Sequence, residues 1–421
     1  FSMKNAGAGP LKRNQVILVL STGLAYILLA ALLMRFLPRP DWLPEAVVIP
    51  TSTVAILITI LVSAPAGISF SLVIALSLSL LSGTNIQSFL FAFLSGLAGT
   101  AVVMNAERRI DLIRAGLILA FIDSMVLAVL GLLGNYDPAR FFWMVIGGLA
   151  NGFFSSVLAL GFLPIFEHLL NAPTRFRLLE LADLNSDIFK QMLSRAPGTY
   201  THSIGVANLA EAACEAIGAN ALLARVSGYY HDIGKIEQAD FFIENQRSFN
   251  KHDEMRASLS AAVIKSHVRI GVEKAKELAL PPAIIDIIAQ HHGRGLIAYF
   301  YHRAVNEEKN PKVSREDYSY PGSKPKTREA AVLMLADSVE AASRTLRKPT
   351  QARLESFVWD TIMSKFNSGE LGDSNLTLRD LELVRKAFVQ ILEGHYHTRI
   401  EYPRLRNGTG GETKPPERES G

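Results

Sequence analysis

Apolar residues run almost unbroken through the first 170 positions, then give way to a helical alternation of apolar and polar side chains. Six apolar runs can be drawn in the first part, at 15–37, 46–63, 66–82, 87–104, 113–134 and 140–166. Each approaches the ~20 residues a helix needs to cross a ~30 Å hydrocarbon core. The third and fourth are short enough to be tilted partners or a poorly divided hairpin. From Asn171 the texture changes. TRFRLLELADLNSDIFKQMLSR (174–195) spaces its apolar positions along one helical face and predicts an amphipathic connector helix. APGTY (196–200) breaks it, and helical patterns then continue to residue 399 without a convincing period-two strand. The Pro- and Gly-punctuated segment 306–329 predicts a long loop.

The pattern specifies an all-α protein, a polytopic transmembrane helix bundle followed by an all-helical domain. The expected divisions are a stub or expression scar at 1–14, a transmembrane domain of about six helices at 15–170, a connector at 171–195, a helical domain at 196–403 and a disordered tail at 404–421. FSMKNAGAGP opens the chain without an initiator methionine or a signal-peptide pattern.

Charge sharpens the division. The 421 residues are 49% hydrophobic and 19% charged; of 43 Lys and Arg only nine precede Ala172, and of 39 Asp and Glu only seven do. The first part therefore takes membrane lipid as its partner. A net charge of +4, small and dispersed, gives no footprint for a nucleic acid polymer. Cys214, the only cysteine, forms no internal disulfide and suits a core position. Lys12 and Arg13 precede the first run, Arg108, Arg109 and Arg114 separate the fourth from the fifth, and Arg175 and Arg177 follow the sixth. The positive-inside rule then places both ends in the cytoplasm, which an even number of crossings requires. Asp123 lies within the fifth run, where an acid is costly; it is either functional or a bundle-facing group bonded to Ser124 or Asn151.

Nine of the ten histidines fall in the second part. His202, the adjacent pair His231 and Asp232, His267, the pair His291 and His292, and Asp337 each sit at the edge of an apolar helical stripe. Helical bundles build metal sites from such inward-facing His and carboxylate groups. Neighbouring helix positions diverge by about 100°, so His231 can take one ion while Asp232 reaches between two. Such a pair of metals suits phosphoryl chemistry, and Lys235, one turn past Asp232, can hold a phosphate oxygen as a point charge.

The strings APGTYTHS, YYHDIGK, FFIENQ, IKSHVRIGVEKAKELALP, IIAQHHG, YPGSKPKTREAA, LADSVEAASR and GHYHTRIEYP resemble those of the HD-domain metal-dependent phosphohydrolases. More narrowly, the chain resembles the PgpH-like seven-transmembrane receptors with a cytoplasmic HD domain, bacterial cyclic di-AMP phosphodiesterases of the cell membrane. The resemblance implies that His202, His231, Asp232, His267, His291, His292 and Asp337 ligate two divalent ions, manganese or iron, with Asp232 as the bridge. It implies a bridging hydroxide that opens cyclic di-AMP to pApA, with Asp232 and Lys235 in the catalytic machinery. A homodimer suits such a receptor, though no pattern in the chain specifies one.

Two departures stand out. The upstream helix and large extracellular sensor of the family are not in this sequence, and Arg294 follows the paired histidines where relatives carry threonine. Arg294 either meets substrate phosphate or is a solvated loop residue, the reading favoured here. The Gly-Tyr-Pro signature of cyclic di-GMP enzymes is missing from GRGLIAYFYHRA. Cyclic di-GMP, another nucleotide, or a receptor that binds without turnover remain the alternatives. Glu244, Asn245 and Gln246 are offered either to a base or metal-bound water or to loop structure. His252 reads as a loop residue, His302 as packed among aromatics, His395 and His397 as docking the C-terminal end, and His168 as interfacial.

Overall fold

Why the first part is apolar throughout is explained by where its side chains point. In the computed structural model, which describes residues 13–396 apart from 37–39, 41, 247–248, 307–312 and 347–348, the large side chains Leu72, Leu76, Leu117, Phe121, Met125, Phe154 and Phe162 face outward. Small polar residues share the inside with apolar ones such as Phe91, Leu119 and Met144: Ser52, Ser88, Ser95, Ser155 and Ser156 are all buried. Apolar groups thus face both outward and inward, as they do where helices pack in lipid and small residues let backbones approach closely. Residues 1–12 of the stub, the tail and His397 lie outside the described residues, and residues 13 and 14 belong to the first helix.

Six α-helices run through the described residues of this half: α1 Arg13–Phe36, α2 Ser52–Leu61, α3 Ala64–Leu81, α4 Ile86–Val103, α5 Arg109–Leu133 and α6 Pro138–Leu170. Among the described residues, α3 to α6 are long and apolar enough to cross a membrane; α1 and α2 supply shorter apolar stretches, Leu20–Phe36 and Ser52–Leu61. The run 46–63 is therefore not one crossing. Pro50, which has no N–H and restricts the residue before it, separates a 3₁₀ turn at Glu45–Val48 from α2. Asn151 Nδ2 donates to the freed carbonyls of Val47 (2.8 Å) and Ile49 (2.6 Å), which keeps irregular backbone satisfied within the bundle. α5 and α6 pack closest; a Cβ at Gly152 would lie 2.4 Å from Ala120 N. Asp123 is fully buried and accepts from Ser95 Oγ at 2.9 Å, which lies 2.5 Å from Ser52 Oγ. Its partner is thus Ser95, whereas Ser124 donates to the Ala120 and Val145 carbonyls.

The connector is two helices, α7 Arg175–Leu181 and α8 Asp187–Arg195. Asp183 Oδ1 accepts from Asn185 N at 2.9 Å, closing a turn that competes with helix between them. The second half is all-helical: α9 Pro197–Ala216, α10 Ala221–Tyr230, α11 Ala257–Glu277, α12 Pro282–Gln290, α13 Ala298–Asn306, α14 Arg328–Ser343, α15 Gln351–Asn367 and α16 Leu378–Tyr396. No strand occurs among the described residues; one isolated antiparallel bridge joins Leu296 and Ser319. α9 is central, with α8, α10, α14 and α16 around it. Its Val206, Leu209, Ala210, Ala213 and Cys214 enter one core with Leu333, Leu335, Val339 and Phe388. That core holds α9, α10, α12 and α14 at fixed separations, and the polar residues gather at one end of them.

Candidate metal centre

Each group reaches the centre from a different element. His202 comes from the first turns of α9, His231 and Asp232 from the turn that ends α10, His267 from mid-α11, His291 and His292 from the end of α12, and Asp337 from α14. His231, Asp232, His267 and His291 are at most 1% exposed, His202 is 4% and Asp337 8%. At that burial an unpaired charge would cost several kcal/mol, so the arrangement must be mutually compensating.

The geometry centres on Asp232. Its Oδ2 lies 3.1 Å from His231 Nε2 and 3.6 Å from His202 Nε2, while its Oδ1 lies 3.4 Å from His267 Nε2 and 3.7 Å from His291 Nε2. Two compact donor groups result, His202–His231–Asp232 and His267–His291–His292. Asp337 joins them, with Oδ1 3.0 Å from His202 Nε2 and Oδ2 3.5 Å from His292 Nδ1. Asp232 Oδ1 and His231 Nε2 are buried without a hydrogen bond, while Asp232 Oδ2 has Lys235 beside it. Donor atoms converging in this way fit divalent cations, and the imidazole–carboxylate set suits first-row metals.

The ring orientations are fixed from behind. The Nδ1 atoms of His231, His267 and His291 meet the carbonyls of Gly228 (2.8 Å), Ile264 (2.6 Å) and Ile288 (2.7 Å). These contacts leave Nε2 for a metal. The turn after Asp232 crosses α11 so closely that a Cβ at Gly234 would sit 2.0 Å from His267 O. Only glycine permits that approach.

Electrostatics favour ligation at neutral pH. Burial pushes His267 down to about 4, and burial with the neighbouring His231 pushes His291 down to about 3. Burial and His291 hold His292 well below its ordinary value. His202 differs: burial opposes its charge, but hydrogen bonds with Asp337 and Glu340 lift it to about 9. Burial also opposes ionisation of Asp232, yet the charges of His231 and Lys235 hold its carboxyl far below the usual range. Lys235 Nζ lies 2.7 Å from Asp232 Oδ2 and 2.9 Å from Glu244 Oε1. It is thus an ion-pair partner of the central aspartate here.

The other sequence candidates have separate places. Asn245 Oδ1 accepts from the N–H groups of Gly198 (2.9 Å) and Thr199 (3.1 Å), capping α9, and Gln246 Nε2 donates to Asp240 O and Asn250 Oδ1. Both amides are committed to loop and cap structure, not to the centre. Arg294 is exposed, and its backbone N–H donates to Glu370 at 3.1 Å. His252 is buried rather than a simple loop residue; its Nε2 meets Phe241 O at 2.8 Å and its ring packs on Phe300. His302 is exposed and touches Tyr301, and His168 is exposed in the last turn of α6. Sequence reasoning did not single out Glu340, which bonds His202 Nδ1, or Tyr320, whose ring stacks on His292 at 4.3 Å. Glu340 carried a signal, one turn past Asp337. Tyr320 carried none beyond its loop, which the Tyr320 N–H to Gly295 O bond (3.0 Å) anchors beside α12.

Comparison with known proteins finds two family models along the chain. The family model for a 7TM receptor with intracellular HD hydrolase matches residues 3–174, and that for the HD domain matches 199–342. Two relatives carry the name cyclic-di-AMP phosphodiesterase PgpH. The Bacillus subtilis protein is 36% identical over 93% of this chain and 56% of its own length; the Listeria monocytogenes protein is 35% identical over 93% and 55%. The chain thus spans about half the length of these relatives. The crystal structure of the L. monocytogenes PgpH HD domain in complex with cyclic di-AMP is 43% identical, matches 52% of this chain and all of that one, and has a TM-score of 0.49. This is a membrane protein, and it is similar over most of its length to seven-transmembrane receptors with an intracellular HD hydrolase domain.

Proposed function

We propose that the chain is a membrane-anchored phosphodiesterase that opens cyclic di-AMP to pApA on two divalent metals, manganese or iron. The observation that carries the reading is Asp232, whose two oxygens each face one group of imidazoles. His202, His231 and Asp337 would serve one ion and His267, His291 and His292 the other, with Asp232 between. When bound, such a pair supplies Lewis acidity and water activation for phosphoryl displacement.

The chain's own groups do the rest. Neutral His267, His291 and His292 offer lone pairs at neutral pH. Lys235 holds Asp232 in place and brings positive charge to the phosphate. Half-buried His292, with Tyr320 stacked on it, forms the accessible side of the site, and exposed Arg294 is available there to a second phosphate. Hydrolysis forms one bond from the water oxygen to phosphorus and breaks the P–O3′ bond. The proton passes to the 3′ oxygen, which leaves the 5′-phosphate of pApA.

The names of the two long relatives favour the adenine dinucleotide. The basic residues flanking the membrane helices favour a cytoplasmic HD domain, expected over 196–403. The test is turnover of cyclic di-AMP and cyclic di-GMP, side by side, by the full chain in detergent with manganese or ferrous iron. Conversion of the adenine compound to pApA with little of the guanine one is expected. Turnover of the guanine compound alone would move the reading to cyclic di-GMP, and failure on both with metal bound would leave a binding receptor.

A further inference from the structure

Four imidazoles of the centre have their Nδ1 atoms held, but not by the same kind of partner. His231, His267 and His291 each use the carbonyl three residues earlier on their own element. Their ring orientation is therefore set locally, wherever that element goes. His202 of α9 is held from another helix. Its Nδ1 meets Glu340 Oε2 and its Nε2 lies 3.0 Å from Asp337 Oδ1, so α14 grips both ring nitrogens through carboxylates one turn apart. Glu340 is itself clamped by Arg344, whose Nη2 and Nε donate to Oε1 at 2.8 and 3.1 Å. Space for the clamp comes from Gly205, where a Cβ would approach Glu340 Cγ and Oε1 at 3.1 and 3.2 Å.

We propose that Glu340, braced by Arg344, is a positioning residue that aims His202 Nε2 at the ion shared with His231, Asp232 and Asp337. A carboxylate behind a ligating imidazole fixes its orientation and raises its basicity, and losing one lowers metal affinity by about 10- to 100-fold. The proposal rests on the two-metal reading above and adds an asymmetry to it. One ion would count among its ligands an imidazole oriented across helices, His202, whereas His231, His267 and His291 are oriented within their own elements. The face Asp337–Glu340–Arg344 of α14 thus forms a relay of metal ligand, orienting group and brace.

The test uses the full chain in detergent, with manganese titrated alone and bound ions counted by electron paramagnetic resonance. Glu340→Ala is expected to weaken one of the two manganese ions by about 10- to 100-fold and leave the other unchanged. Glu340→Gln, which still accepts a hydrogen bond, should lose less, and Arg344→Ala should fall between wild type and Glu340→Ala. Melting of the metal-free proteins separates positioning from structure: a merely structural residue would lower the metal-free midpoint and leave both affinities alone. If Glu340→Ala does not fold, Glu340→Gln and Arg344→Ala decide. Wild-type affinity at both ions in those two overturns the role of Glu340. A wild-type protein that binds fewer than two ions overturns the metal reading itself.

Discussion

Replacing Gly234 with alanine tests how the turn carrying Asp232 meets α11. The added Cβ would lie 2.0 Å from His267 O and 2.5 Å from Gly271 N. Both are backbone atoms of one helix, so neither can swing aside. Ordinary carbon contacts are about 3.5–4.0 Å, so turn and helix must separate by roughly 1 to 2 Å. Overpacking costs about 1–3 kcal/mol, and a backbone clash belongs at the upper end. At about 2–4 °C per kcal/mol for a domain of this size, the midpoint should fall by about 6–12 °C. The same separation opens the 3.4 Å gap between Asp232 Oδ1 and His267 Nε2, so manganese should stabilise the variant less than the wild type. Scanning fluorimetry of the full chain, with and without manganese, measures both effects. A variant that melts with the wild type and keeps its full manganese response would refute the reasoning.

Asp232→Asn removes the charge that faces both donor groups and pairs with Lys235; it should abolish turnover and sharply reduce bound manganese, measured by hydrolysis assay and metal analysis, and full activity would sink the central role of Asp232. In the metal-free protein, His202 is lifted to about 9 by Asp337 and Glu340 against burial, above the ordinary histidine value near ~6.5. Its stabilising contribution is therefore full below about pH 6.5 and lost as pH rises through about 9. A metal must displace that proton, so manganese affinity should rise by about tenfold per pH unit between pH 7 and about 9; a flat titration series would count against this ionisation. In the membrane half, Asp123→Asn should melt near the wild type because an amide still bonds Ser95. Asp123→Leu leaves the Ser95 and Ser52 hydroxyls buried without that acceptor, at about 1–3 kcal/mol, and equal melting of the two variants would argue against the hydrogen-bond chain.

The helical class and the seven converging groups were legible because they depend on residue type and period. His and Asp beside apolar stripes are rare enough that their order along the chain carries information. What failed to show depended on distant partners. Asn245 looks like a free amide until α9 begins beside it, 47 residues away in sequence from Gly198. Asp183 and Asn185 divide the connector through short side-chain bonds that an amphipathic pattern conceals. The break at Pro50 was written in the sequence, but the apolar run around it suggested continuity, and the satisfaction of its carbonyls by Asn151 needed the fold. Glu340 shares a face with Asp337, yet its function is visible only once α9 lies against α14.

The two halves meet through a joint built from charge. Glu167, near the end of α6, is 3% exposed; its carboxylate accepts from Thr174 and from Arg109 Nη2 at 3.0 Å. Arg109, at the start of α5, also donates to Glu180 of α7 at 2.7 Å. At the far end of α7, Leu181 O accepts from Tyr230 OH at 3.1 Å, and Phe189 of α8 packs on the same ring at 4.8 Å. Tyr230 immediately precedes His231. Separating Arg109 from Glu167 would leave a buried carboxylate with Thr174 as its partner, and moving α7 instead would pull on its bonds to the second half, Arg177 Nη2 to Ala279 O at 2.5 Å and Tyr230 OH to Leu181 O. A displacement of α6 against α5 is therefore resisted on both sides of α7, which links the membrane helices to Tyr230, the residue before His231.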